Sequence, residues 1–312
     1  MSLLVRPKAA AAVARVMQRA ASLGLRLQAR SASGFASRER FPEFPRHTRR
    51  LTIATSVAPA EVTVYLPTTV STSPPVYVNF HGGGYILPLV ELDDPLCRFL
   101  AAEAGVVVLN VDYAVAPQHR FPGPPHQAYE VLCWVAEHGS EQGWDANRLV
   151  VGGQSAGGGL AAAVARQALG VGKPRIALQV LHYAPLDLAT DARDKHSVID
   201  NPKIKPWMSH IFDSSYVPDS RQRSDPLVSP AGVTDTADLT GIAPALILTA
   251  EYDLLREEGI RYAQRLDLAG SLVEHYDIGG VDHGYDMGDA ETARAVYTRI
   301  ARAVRSMTAL GG

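Results

Sequence analysis

Two cysteines, Cys97 and Cys133, are all that the 312 residues contain. So small a number excludes a disulfide framework for a chain of this length and predicts free thiols at buried or half-buried positions. Long apolar runs are missing too: no 18 consecutive apolar residues occur, so no segment reads as a membrane span. An excess of one charge is also lacking. Thirty basic side chains stand against 32 acidic ones, for a net charge of −2, which leaves no basic footprint for nucleic acid. Neither a His-Glu-x-x-His motif nor a Cys/His ligand spacing is present, so no metal is expected, and no organic cofactor is called for. What is there is ordinary globular composition, 46% hydrophobic and 20% charged, with ample chain to bury a core.

Acid is absent altogether from residues 1–38, which carry seven Lys and Arg. A secretory signal needs an unbroken apolar core of roughly 7–15 residues. The best run, AAAAVA at 9–14, is shorter and ends at Arg15. Val13, Val16, Met17, Ala20, Leu23 and Leu27 fall on one helical face, and Arg15, Arg19, Arg26 and Arg30 on the other. The pattern predicts an amphipathic helix that covers part of the folded body. A basic helix lying on an anionic membrane surface is the alternative. The expected compartment is the cytoplasm, against peripheral membrane or cell-envelope association, and a homodimer remains open.

Apolar runs of strand length follow at 50–56, 61–67, 76–80, 106–112, 148–153, 176–183, 245–250 and 272–278. A short Ala-Pro-Ala turn joins the first two as in an antiparallel hairpin, and the later ones are nearly all apolar, as strands buried on both faces should be. Helical patterns lie between them at 93–104, 126–138, 156–170, 256–269 and 289–308. Strand alternating with helix predicts a mostly parallel sheet wrapped by helices. Residues 187–243 break the rhythm. A structureless loop of that length is improbable in a compact domain, so the stretch reads as a helical insertion above the C-terminal edge of the sheet.

Between the strand at 148–153 and the helix at 156–170 the chain reads Gly-Gln-Ser-Ala-Gly. A strand-to-helix reversal with almost no loop strains its central residue, Ser155, and needs small neighbours at Gly153 and Gly157. That is the nucleophile elbow of the G-x-S-x-G motif. It aims the N–H of Ala156 and the helix N-terminus at the serine hydroxyl. The rival is a dinucleotide-binding turn, since GGGLAA at 157–162 fits G-x-G-x-x-A. But that match lies inside the helix, and the following strand, ending near Tyr183, carries no acid for a ribose.

A serine nucleophile needs a base, an orienting acid and an anion site. His81-Gly82-Gly83-Gly84 directly follows a strand, where adjacent glycines let N–H groups turn toward a ligand. No Gly-Lys-Ser/Thr follows, which disfavours a phosphate loop. Asp253 stands just past the strand at 245–250, with Glu251 as the second candidate for the acid. His283 stands between the last strand and the last helix. The order Ser155, Asp253, His283 is the chain order of this hydrolase arrangement.

These pieces, HGGGY (81–85), DYAVAPQHRFP (112–122), GGQSAGG (152–158), the stretch 229–259 and DHGY (282–285), resemble the hormone-sensitive-lipase-like branch of the α/β-hydrolases, the bacterial family IV esterases. The resemblance spans residues 80–285. It implies an eight-stranded α/β-hydrolase core with a helical cap built from an N-terminal segment, 1–45, and an insertion at about 187–225 within a catalytic domain at 46–312. It implies a serine carboxylic-ester hydrolase acting on short- to medium-chain acyl esters, small-molecule or lipid, through an acyl group on Ser155. An amidase with the same triad, or a silent ligand-binding protein on the same fold, is the alternative. Departures from the family pattern are Gln154 in place of an acid or threonine, Gly159 in place of asparagine, Tyr85 in place of phenylalanine or tryptophan, and Asp282 before the histidine. The oxyanion donors are expected from Gly82, Gly83, Gly84 and Ala156, and substrate contacts from Tyr85, Trp207, Met208, Phe212 and Tyr216. If these cap side chains line the acyl site, Trp207→Ala is expected to shift preference toward longer esters at little cost in stability; packing of the cap on the body is the alternative.

Overall fold

The structure, a computed structural model, describes residues 7–30, 40–68 and 72–309, and of residues 25–30 the backbone only. Eight strands form one sheet: β1 (Thr48–Ile53), β2 (Ala60–Tyr65), β3 (Pro75–Phe80), β4 (Val107–Asp112), β5 (Asp145–Gln154), β6 (Ile176–His182), β7 (Ala245–Ala250) and β8 (Leu272–Ile278). Their order across the sheet is β1-β2-β4-β3-β5-β6-β7-β8. β2 is antiparallel to β1 and β4, and every other pairing is parallel. The central strands β3 and β7 are buried at all positions. Such strands take apolar residues at nearly every step rather than at alternate ones, which is why PVYVNF and ALILTA show no period-2 pattern, with only Asn79 and Thr249 polar. The edges carry charge instead, Arg49 and Arg50 on β1 and Glu274 and Asp277 on β8, which discourages pairing with another chain.

The helices are α1 (Pro7–Arg30), α2 (Asp94–Ala104), α3 (Gly123–His138), α4 (Ala156–Val171), α5 (Pro206–Tyr216), α6 (Arg256–Leu268) and α7 (Ala290–Ala309). α3, α4 and α6 cover one face of the sheet through residues such as Val131, Leu160 and Leu266. α2 and α7 cover the other through Leu96, Phe99 and Ile300. Cys97 is buried and Cys133 half-buried, both as free thiols. Among the described residues no helix is long and apolar enough to cross a membrane.

The insertion is less helical than expected. Within 187–225 only α5 and a 3-10 turn at Ser220–Ser224 are regular. Carboxylates order the rest. The fully buried Asp187 accepts from the N–H groups of Ala189 and Thr190 and from Arg261, while Lys195 bridges the Asp187 carbonyl and Glu258. Side chains thus satisfy backbone groups that a helix would have satisfied itself.

The N-terminal helix also sits differently on the body. α1 packs on α5, but its inward face is Ala10, Ala11, Ala14 and Gln18, with Val13 and Met17 half-buried. Val16 and Leu23 are exposed at 63% and 58%, and Ala20 faces water with Arg15 and Arg19. The expected places of Leu27, Arg26 and Arg30 lie outside the described side chains. Gln18 fixes this rotation by donating to the carbonyls of Ile86 at 2.7 Å and Ala116 at 2.8 Å. A buried amide must meet such partners, and alanines let the helix come close enough to do so.

Candidate active site

β5 runs into α4 with a single residue between them. That residue is Ser155, at φ 52° and ψ −123°. A left-handed backbone costs a non-glycine residue ~1–3 kcal/mol, so the surroundings must hold it. The Ser155 N–H donates to the carbonyl of His182 on β6 at 2.9 Å, and its own carbonyl accepts from Gly158 at 2.8 Å. Gly157 is obligatory for a steric reason, since a Cβ there would lie 1.7 Å from the carbonyl oxygen of Phe80. α4 begins at Ala156, whose N–H is among the first of the helix and has no intrahelical acceptor.

His283, from the loop after β8, reaches Ser155 with Nε2 3.0 Å from Oγ. Its Nδ1 lies 2.7 Å from Oδ2 of Asp253, which comes from the turn after β7. Asp253 is 1% exposed, and its Oδ1 accepts from the N–H of Leu255. A carboxylate at Nδ1 places the ring proton there and leaves the Nε2 lone pair for the serine hydroxyl. Burial alone pushes the imidazolium of His283 down. Asp253, by charge and hydrogen bond, together with Asp282 and Asp286, outweighs burial and holds its pKa above the usual histidine value of 6.5.

Neither neighbouring acid takes the place of Asp253. Glu251 accepts from the N–H of Gly280, and so shapes the loop rather than the imidazole. Asp282 accepts from the backbone N–H of His283 with one oxygen and from that of Lys203 with the other, each at 2.6 Å. It therefore ties the histidine loop to the insertion.

After β3 the segment His81–Gly84 passes beside the serine; a Cβ on Gly82 would stand 3.6 Å from that of Ser155. The N–H groups of Gly82, Gly83 and Gly84 have no acceptor among the described residues. The loop is pinned by His81, which is buried, stacks on Tyr113 at 4.3 Å and approaches the Gly82 carbonyl with Nδ1 at 2.6 Å. Tyr113 in turn donates to the His81 carbonyl. Unpaired donors on a fixed loop, with Ala156 facing them, suit a developing oxyanion.

Ser155 and His283 open into a cavity of about 170 Å³. That is small against the ~300–1,000 Å³ of cavities for drug-sized ligands. Leu87, Leu89, Leu92, Ile204, Phe212 and Met287 give its walls an apolar character. Of the five side chains expected to meet substrate, only Phe212 is on the wall. Tyr85 and Tyr216 are buried and stacked on each other at 4.2 Å, Met208 is off the wall, and Trp207 is 55% exposed. α5 turns the 212 position inward and the 207 position outward, a rotation that an apolar cluster in the sequence does not specify.

Two departures from the family pattern have their compensation in the structure. The Tyr85 hydroxyl fills the space of a side chain at position 159; a Cβ on Gly159 would lie 2.1 Å from it. Gln154 donates through Nε2 to the buried carboxylate of Asp286, which also accepts from Tyr183 at 2.6 Å and Tyr297 at 2.7 Å. An acid at 154 would meet a second carboxylate there, so the neutral amide is the residue that fits. The Tyr183 ring packs on His283 at 4.7 Å. Sequence reasoning passed over Asp286, although DHGYD places it three residues after the histidine. It also passed over Asp93, which lines the cavity and which no motif marks. Among the described residues no three His, Cys, Asp or Glu side chains gather as a cation site.

A family model described as the alpha/beta hydrolase fold matches residues 77–305. The chain is 36% identical over 226 residues to a carboxylesterase, NlhH, of Mycobacterium tuberculosis, covering 72% of this chain and 70% of that one. It is 33% identical over 260 residues to an esterase, LipI, of the same organism, covering 80% of each. Among solved structures it is similar to a hyperthermophilic esterase from the archaeon Pyrobaculum calidifontis, with TM-score 0.83, 31% identity, and coverage of 94% of this chain and 91% of that one.

Proposed function

The chain belongs to the α/β-hydrolase family, in its hormone-sensitive-lipase-like branch, and on that premise we propose how it works as a serine carboxylic-ester hydrolase. The observation that carries the reading is the single imidazole, His283, bridging Ser155 Oγ and Asp253. His283 takes the serine proton as Oγ attacks the ester carbonyl. The N–H groups of Gly82, Gly83, Gly84 and Ala156 receive the oxyanion. Protonated His283, stabilised by Asp253, returns the proton to the departing alcohol, and water then releases the acid from Ser155 by the same relay.

The small apolar cavity supports short- to medium-chain acyl groups as substrates. α1 (1–45 being the wider segment) and the 187–225 insertion together serve as the cap. The outward face of α1, where Val16 and Leu23 stand among Arg15 and Arg19, is the surface through which a peripheral contact with an anionic membrane would run. Hydrolysis rates over a series of p-nitrophenyl esters of increasing chain length test the substrate reading; a maximum at the long-chain end would contradict it. In the same series Phe212→Ala is expected to move the maximum toward longer chains by opening the wall. Trp207→Ala, at an exposed position, is expected to leave it in place.

The histidine also fixes a pH dependence. His283 must be neutral to accept a proton, and its pKa is raised, so kcat/KM is expected to rise with pH through an apparent pKa above 6.5. Asp282→Asn removes one of the charges that raise it. The rising limb should then move to lower pH, and an unmoved limb would deny Asp282 that influence.

A further inference from the structure

The cavity has a polar corner that the ester chemistry above does not use. Asp93 is 3% exposed and lines the same cavity as Ser155. Its Oδ2 accepts from Asn79 Nδ2 at 2.8 Å. Asn79 also donates to Asn110 Oδ1 at 2.9 Å, and Asn110 donates to the Val90 carbonyl at 2.8 Å. This chain of amides fixes the carboxyl in one orientation. Its other oxygen, Oδ1, has no hydrogen-bond partner among the described residues, nor is it sealed from the cavity. Gln154 repeats the pattern. Its Nε2 is committed to Asp286, while Oε1 has no partner among the described residues, and the residue lines the same cavity.

Two polar oxygens held rigidly without partners, in a cavity whose side-chain walls are mostly apolar, cost free energy unless a hydrogen-bonding group meets them. We propose that Asp93 and Gln154 form a hydroxyl subsite, and that the preferred substrates are small esters carrying a hydroxyl on the portion that lies past Ser155. The proposal rests on the ester-hydrolase reading and names its substrate class. A hydroxyl fits better than an ammonium. Burial pushes the Asp93 carboxyl up to about 7, against the opposing pull of the Asn79 hydrogen bond and of His81. Near neutrality much of it is uncharged, and because Oδ2 accepts from Asn79 the proton then sits on Oδ1. A hydroxyl meets both states, accepting from the acid or donating to the carboxylate, whereas an ammonium has no acceptor for that proton and a neutral acid does not compensate its charge. The chemistry allows the hydroxyl on either half of the ester, and the test has an arm for each.

In the acyl arm, ethyl 3-hydroxybutyrate is compared with ethyl 3-methylbutyrate, which replaces the hydroxyl by a methyl group. In the alcohol arm, 2-hydroxyethyl butyrate is compared with propyl butyrate. The wild-type enzyme is expected to favour the hydroxylated ester in kcat/KM in at least one arm. Asp93→Leu is expected to reduce that preference by about tenfold, because sites built to bond a hydroxyl reject analogues lacking it and apolar sites do not. Asp93→Asn, which keeps the shape, an oxygen for Asn79 and a donor toward the cavity as in the neutral acid, should retain most of it. Wild-type ratios at or below one in both arms overturn the proposal, and that comparison stands even if Asp93→Leu does not fold. An unchanged ratio in folded Asp93→Leu also overturns it. Turnover of propyl butyrate keeps this outcome distinct from failure of the ester-hydrolase reading, in which none of the four esters would be cleaved.

Discussion

Ser155→Ala is expected to fold normally and to lose about 10⁶-fold in kcat on any ester, the scale on which triad nucleophiles are missed. The argument runs from the backbone. Ser155 occupies a left-handed conformation that alanine adopts at no greater cost, and the bonds that hold it there are backbone bonds to His182 and Gly158. The substitution therefore removes Oγ and leaves the elbow. Circular dichroism and melting temperature should match the wild type while steady-state hydrolysis falls to background. Activity within a hundredfold of the wild type would mean that acyl transfer does not pass through this hydroxyl. A collapsed fold would mean that the side chain bears structural weight the geometry does not show.

Asp253→Asn should cost roughly 10⁴-fold in kcat, less than loss of the nucleophile. An amide can donate to Nδ1, and that favours the tautomer whose Nε2 carries the proton and cannot take another from Ser155. The positive charge that develops on His283 during acyl transfer also loses its counter-ion. Glu251→Gln and Asp282→Asn are the informative companions, because Glu251 is the second acid of the turn after β7 and Asp282 adjoins His283, yet Glu251 accepts from the N–H of Gly280 and Asp282 from those of His283 and Lys203. Both should cost far less than Asp253→Asn. If either proved the most damaging of the three, the orienting acid would be misassigned.

The parts of this site that were legible in the sequence are those built locally. The elbow needs only a strand, a helix and small residues within five positions, so Gly-Gln-Ser-Ala-Gly between two clear elements announced it. Asp253 and His283 were legible because a parallel sheet delivers the loops after successive strands to one edge. β7 and β8 were observed at the residues where they were expected, 245–250 and 272–278. Rotation of a helix about its own axis was not legible. α1 presents alanines and Gln18 to the body, and α5 turns Phe212 inward and Trp207 outward. In both, long-range contacts decide what hydrophobic periodicity leaves degenerate. The polar groups beneath the serine were hidden for a related reason. Asp286 meets Gln154 across 132 positions of chain, and Asp93 meets Asn79 on a neighbouring strand end. Only the assembled sheet edge gives those residues a meaning beyond their type.

The central claim is that a single activated hydroxyl, held by His283, carries the acyl group. Reaction with a p-nitrophenyl alkylphosphonate followed by peptide mass spectrometry tests it most directly, because the reagent bonds to a serine only where a base and an oxyanion site serve it. The account predicts one adduct per chain, on the peptide containing Ser155, with activity lost in proportion to labelling and with no adduct in Ser155→Ala. Labelling at another residue that parallels the loss of activity, or full inactivation with Ser155 unmodified, would contradict it.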